Sequence, residues 1–152
     1  MGSRLTLIAA LIFLFCGTMA AQSRADSINT EKQAFLEAIS KQIAENESKP
    51  AAEVFKNIKM LKEATAGRLL SVMNFGYSRS LGVSCTHCHV PGKWESDEKP
   101  AKQVARDMAA MVGKINGELL AGIDNLRTSN PTVNCTTCHR GQTQPALSLP
   151  PR

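Results

Sequence analysis

Apolar residues recur at intervals of three and four along three stretches of the chain, which is the spacing of an amphipathic helix. The stretches cover residues 30–47, residues 64–80, and a third that begins between residues 96 and 100 and ends near residue 120. Their apolar positions are Phe35, Leu36, Ile39 and Ile43; Leu69, Leu70, Met73 and Tyr77; and Val104, Met108, Met111 and Ile115. No strand-rich segment accompanies them, so the pattern predicts an all-α fold.

Turn-forming and capping residues mark the ends of these predicted helices. Residues 46–50 end the first, and Gly82 closes the second. Pro100 fits the first turn of the third helix, which Ser96 or Asp97 can cap.

The N-terminus has the pattern of a secretory signal peptide. Arg4 gives it a positive start, an apolar run continues to Phe15, and small residues end it near Ala20. The apolar run is shorter than the roughly 20 residues that span a bilayer, so an uncleaved membrane anchor is the less favoured alternative. Lipidation of Cys16 is also disfavoured, because a bulky residue precedes it. We expect cleavage after residue 20 or 21 and a periplasmic protein, with membrane association if the segment is retained.

The rest of the chain divides into three parts. Residues 22–53 hold a polar, frayed leader and the first helix, and residues 54–141 form the main domain. Residues 54–61 suit either a short helix or a buried extended stretch. Residues 142–152 contain three prolines and no periodicity, which predicts an extended or disordered tail.

Composition limits what such a chain can do. It has 152 residues, a mass of 16.4 kDa and only 5% aromatic residues, which favours one small domain with a thin core and no large enzyme cleft. Beyond the signal peptide the aromatic residues are Phe35, Phe55, Phe75, Tyr77 and Trp94.

The four cysteines outside the signal peptide form two copies of one motif, C-x-x-C-H, the attachment signature of c-type haem. Two thiols three residues apart can reach the two vinyl groups of one porphyrin, and the following histidine can then bind the iron. The motifs predict two covalently bound haem c groups, attached at Cys85, Cys88, Cys135 and Cys138, with His89 and His139 as iron ligands.

Two alternatives for the cysteines fit less well. A zinc site of the C-x-x-C…C-x-x-C type usually has 15–20 residues between its pairs, whereas residues 89–134 number 46 here. Disulfides or a thioredoxin-like redox pair would need neither histidine and would favour a βαβ context.

The second axial ligand of each iron must come from elsewhere in the chain. His87 is the only other histidine, and it cannot reach the opposite face of its own haem. The remaining methionines are Met60, Met73, Met108 and Met111. Met73 lies 12 residues before the first motif, on an apolar helix face followed by a turn, so it is well placed to bind. Met108 and Met111 share one helix face, and spacing alone leaves both open.

Residues 54–141 resemble the cytochrome subunit of photosynthetic reaction centres and its small c-type relatives. The likeness lies in the stretches Val54–Ile58, Leu70–Met73, Cys85–His89, Val104–Met108, Ile115–Asn116 and Cys135–Gly141. It implies two units of helix, turn and C-x-x-C-H, with Met73 and Met108 as axial ligands and Met111 packing on the ring. The reaction-centre subunit carries four haems, so this chain matches one half of it, and a photosynthetic partner does not follow.

These ligands predict an electron-transfer protein with no catalytic residue. An iron held by histidine and methionine has no open position for a substrate, so no small-molecule substrate is expected. The expected partners are redox proteins in the periplasm or at the membrane surface. The formal charge of +5 suggests nucleic acid, but the propionates of two haems would cancel most of it, so no nucleic-acid partner is expected. The alternative is a haem enzyme or gas-binding protein, such as a dihaem peroxidase, with one open or displaceable axial position.

Overall fold

The structure, a computed structural model, describes the backbone of residues 2–148 and the side chains of residues 22, 23 and 25–148. The side chains of the predicted signal peptide, including Cys16, and the last four residues of the predicted tail lie outside this range. Within residues 2–148 there are helices and isolated bridges but no strand, which confirms the all-α prediction.

In residues 2–148, six α-helices are joined by shorter 3-10 and π-helical stretches. The α-helices are α1 (Gly2–Ile43), α2 (Ala51–Val54), α3 (Ala66–Ser71), α4 (Arg79–Leu81), α5 (Pro100–Lys114) and α6 (Cys135–His139). The π-helical stretches are Val72–Ser78 and Ile115–Leu119, and the 3-10 turns are Ala44–Asn46, Cys85–His87 and Leu120–Gly122. None of the described helices is both long enough and apolar enough to cross a membrane.

The predicted second helix is continuous from α3 through the π-helical stretch to α4. Thr65 caps it by accepting a hydrogen bond from the Arg68 N–H at 3.1 Å, and Gly82 ends it in the left-handed conformation, with φ 66°. In residues 54–61 the short helix α2 ends at Val54, and Phe55 is already extended.

Two local predictions were wrong. Residues 22–29, expected to be a frayed leader, are helical and belong to α1. The N-cap of α5 is Lys99, without a side-chain cap bond. Asp97 is drawn away from the cap because its carboxylate lies 3.0 Å from Arg106 and 3.2 Å from Lys102.

Few apolar side chains are buried in the described part of the molecule. Buried apolar residues are Ile43, Ala51, Ala66 and Leu69, while Phe75, Val104 and Met111 are between 46% and 59% exposed. Much of the apolar surface therefore faces space that protein side chains do not fill, and this space lies beside the two cysteine motifs.

Candidate cofactor site

The first C-x-x-C-H motif opens onto an apolar cleft of about 860 Å³, a volume that includes its part open to solvent. The cleft is lined by Cys85, Cys88, His89 and Met73, all four residues predicted to serve the first haem. Gly82 allows Met73 and the motif residues to line one cleft, because its left-handed backbone turns the chain back beside the helix that carries Met73.

The second motif opens onto another apolar cleft, of about 980 Å³ by the same measure. It is lined by Cys135, Cys138, His139, Met108 and Met111, so α5 contributes the methionines and α6 contributes the motif.

The two clefts adjoin each other. Tyr77, Leu81, Cys88 and Ala105 line both of them. Groups bound in the two clefts would therefore be separated by little more than these side chains.

Both motif histidines are oriented by a backbone carbonyl. Nδ1 of His89 lies 2.9 Å from the carbonyl oxygen of Trp94, and Nδ1 of His139 lies 3.0 Å from that of Gln142. In the tautomer that donates this bond, the Nε2 lone pair is free for a metal. Burial lowers the pKa of His89, and the cations of Lys102, Arg106 and Lys99 act in the same direction. The ring is thus neutral at pH 7, as an iron ligand must be.

Hydrogen bonds from its own residues and from the stretch that follows α5 hold the second motif in place. Asn134 and Thr137 form a capping box at the start of α6. Val133, just before α6, is bound by the Asn116 side chain. The Asn116 amide donates to the Val133 carbonyl at 2.9 Å, and its side-chain oxygen accepts from the Val133 N–H at 2.8 Å.

The second motif is also attached to α4. The hydroxyls of Ser80 and Thr136 lie 2.6 Å apart, and the Gly141 N–H donates to the Ser80 carbonyl at 2.8 Å. The helix that precedes the first motif therefore also supports the second, which fixes the two clefts relative to each other.

The cysteines themselves suit thioether attachment better than the alternatives. Cys85, Cys88, Cys135 and Cys138 are free thiols, and burial raises the pKa of Cys85 and Cys88, so these two remain protonated at pH 7. Among the described residues, no three His, Cys, Asp or Glu side chains form a group that could hold a metal ion. The residues present fit two porphyrins: apolar walls, a thiol pair, an oriented imidazole and a thioether at each cleft.

Two lining residues were not identified as site residues from the sequence. Met60 lines the first cleft, where its Sδ accepts a hydrogen bond from Tyr77 Oη at 3.4 Å. His87 lines the second cleft rather than the first, so it faces the haem site to which its own motif does not belong. Motif spacing could not reveal this, because it relates a residue only to its own haem.

Comparison with known protein families identifies a family for this chain. The model of the family described as "Photosynthetic reaction centre cytochrome C subunit" matches residues 15–148, a range that includes both clefts and all the motif residues. A comparison with curated proteins finds no match.

Proposed function

Since the chain belongs to the photosynthetic reaction centre cytochrome C subunit family, we propose that it is an exported cytochrome c with two haems. Family membership makes it a c-type cytochrome with covalently bound haem c and a part in electron transfer. The number of haems, their ligands, the export and the choice of partners are our proposal. In it, the protein carries electrons between redox proteins in the periplasm or at the membrane surface.

The observation that carries this proposal is the pair of adjoining clefts. Each combines two cysteines, a carbonyl-oriented histidine and at least one methionine, and the clefts share Tyr77, Leu81, Cys88 and Ala105. One such cleft would suit a single-haem carrier. Two adjoining clefts suit a protein that passes an electron from one haem to the other.

Each cleft has residues that can hold a haem and can keep a substrate from its iron. When bound, haem c supplies a one-electron iron couple. With haem bound, Cys85 and Cys88 would form the thioether links at the first cleft, and His89 and Met73 would be the iron ligands. At the second cleft these roles would fall to Cys135, Cys138, His139 and Met108. The methionine sulfur would favour ferrous iron, and with both ligands bound the iron would have no position left for a substrate.

A second candidate, a haem enzyme or gas-binding protein, is favoured by one observation. His87 lies beside the second cleft, where it could serve as an acid or base next to an open iron. This function requires that Met108 leave the iron or never bind it.

Mass and spectra of the exported holoprotein test the first proposal. We expect a mature chain that begins after residue 20 or 21, two haems per chain, and sharp c-type bands on reduction. The double variant Cys85→Ala/Cys88→Ala and the double variant Cys135→Ala/Cys138→Ala should each retain one haem. Cys16→Ala, which changes a cysteine outside both motifs, is the matched control and should retain two.

Other outcomes decide between the candidates. A chain that matures without haem would refute both. Rapid binding of carbon monoxide by the reduced protein, together with a high-spin ferric spectrum, would favour the enzyme or gas-binding function over electron transfer.

A further inference from the structure

Lys102 is a buried cation beside the first cleft. The residue is only 9% exposed, and its ammonium donates to the carbonyl oxygens of Trp94 at 3.0 Å and Ser96 at 2.8 Å. It also lies 3.2 Å from the Asp97 carboxylate. Burying an ammonium is costly unless its donors are satisfied, and here all three N–H groups have an acceptor.

The Trp94 carbonyl links this cation to the iron ligand. The same oxygen accepts from Lys102 and, at 2.9 Å, from Nδ1 of His89. A hydrogen bond from a ligating histidine to a carbonyl makes the imidazole a stronger donor to its metal. An ammonium on the same oxygen draws its electron density away and so weakens that effect.

In the described structure, the second cleft has no lysine that corresponds to Lys102. His139 bonds to the carbonyl of Gln142, and no contact of that carbonyl with a lysine is present in the described structure. Within the same residues, no Lys, Arg, Asp or Glu lines the second cleft, whereas Lys56, Lys59, Lys102 and Arg106 line the first. Asp97 pairs with Lys102 and Arg106, so one carboxylate faces two of these four cations and the first cleft keeps a net positive charge.

We propose that Lys102 is a positioning residue that raises the reduction potential of the haem in the first cleft above that of the haem in the second. This inference rests on the proposed function. The buried positive charge favours the iron state with one more electron, and its hold on the Trp94 carbonyl weakens the donation of His89, which favours the same state. An electron given to either haem by a reduced protein partner then comes to rest at the first cleft.

A redox titration of the holoprotein, followed in the visible spectrum, tests this. In Lys102→Met the higher midpoint should fall, with a decrease of about tenfold in the equilibrium constant for reduction, or about 59 mV for one electron. The lower midpoint should stay in place. Lys102→Arg keeps the charge and should keep most of the higher midpoint. Lys114→Met removes an exposed cation from the same helix, paired with Glu118, and should move neither midpoint.

Haem content and denaturant unfolding of each variant separate tuning from damage. The inference is wrong if Lys102→Met keeps two haems but leaves both midpoints unchanged, or if the higher midpoint falls as far in Lys102→Arg as in Lys102→Met. The assignment of two haems stands in either case. Should Lys102→Met fail to fold, the wild-type and Lys102→Arg titrations still decide: equal midpoints in the wild type would overturn the inference. Absence of haem from the wild type would instead remove the proposed function.

Discussion

Gly82 and Gly141 are packed backbone against backbone, although 58 residues separate them in the sequence. A Cβ on Gly82 would collide with the carbonyl oxygen of Gly141, and Gly82 itself adopts a φ of 66° that favours glycine. One residue therefore ends the helix before the first motif and makes room for the chain that follows the second.

Gly82→Ala should destabilise the holoprotein by about 2–3 kcal/mol, because it adds a steric clash to left-handed backbone strain. Gly92→Ala separates these two causes. Gly92 has a φ of 75° but nothing within 4 Å of its would-be Cβ, so strain alone should cost about 1 kcal/mol. Urea unfolding measures both; equal losses in the two variants would show that the contact with Gly141 is unimportant.

The axial methionines can be assigned from the near-infrared thioether-to-iron band of the oxidised protein. Met73→Ala and Met108→Ala should each remove about half of it, since each removes one of two sulfur ligands. Met60→Ala and Met111→Ala change methionines that line the same two clefts and should leave the band intact. Loss with Met111→Ala in place of Met108→Ala would show that the ligand lies one turn further along α5.

Asp97 should make the stability of the folded protein depend on pH in the acidic range. Hydrogen bonding to the Asn57 side chain, followed by that to Arg106 and Lys102, holds the pKa of this carboxyl well below its ordinary value of 3.8. The unfolded chain therefore binds a proton first as the pH falls. The stabilisation is complete above the ordinary pKa and is lost progressively below it.

Urea unfolding between pH 3 and pH 7 compares the wild type with Asp97→Asn. The wild type should be the more stable at pH 7, and the difference should shrink as the pH falls below about 4. A difference that is independent of pH would contradict the ion-pair origin of the effect.

The chain without haem should not fold cooperatively. Its buried apolar residues, within the described part, are Ile43, Ala51, Ala66 and Leu69, while large apolar side chains along α5 are exposed. A core this small falls short of the cost of ordering the backbone. Circular dichroism of a variant with all four motif cysteines changed to alanine checks this; a sharp thermal transition with full helix content would refute it.

Much of the fold could be predicted from local patterns. The helical spacing around Met73 and Met108 predicted the segments that carry them, and Gly82 predicted where the second helix ends. These are short-range properties, since a helix face and a glycine turn depend on neighbours a few residues away. Capping of α5 by Ser96 or Asp97 failed as a prediction because the Asp97 carboxylate pairs instead with Lys102 and Arg106 inside α5, and Ser96 accepts from the N–H of Glu98, before the helix begins.

The linear sequence was sufficient for the all-α class and for the motif residues that we propose to attach haem, because helix periodicity and the reach of two thiols are local properties. Tertiary packing alone placed His87 at the second cleft, joined the clefts at Tyr77, and brought Lys102 onto the carbonyl that orients His89. Those contacts depend on how the helix before the first motif packs against α5 and α6, and residue spacing along the chain does not determine that packing.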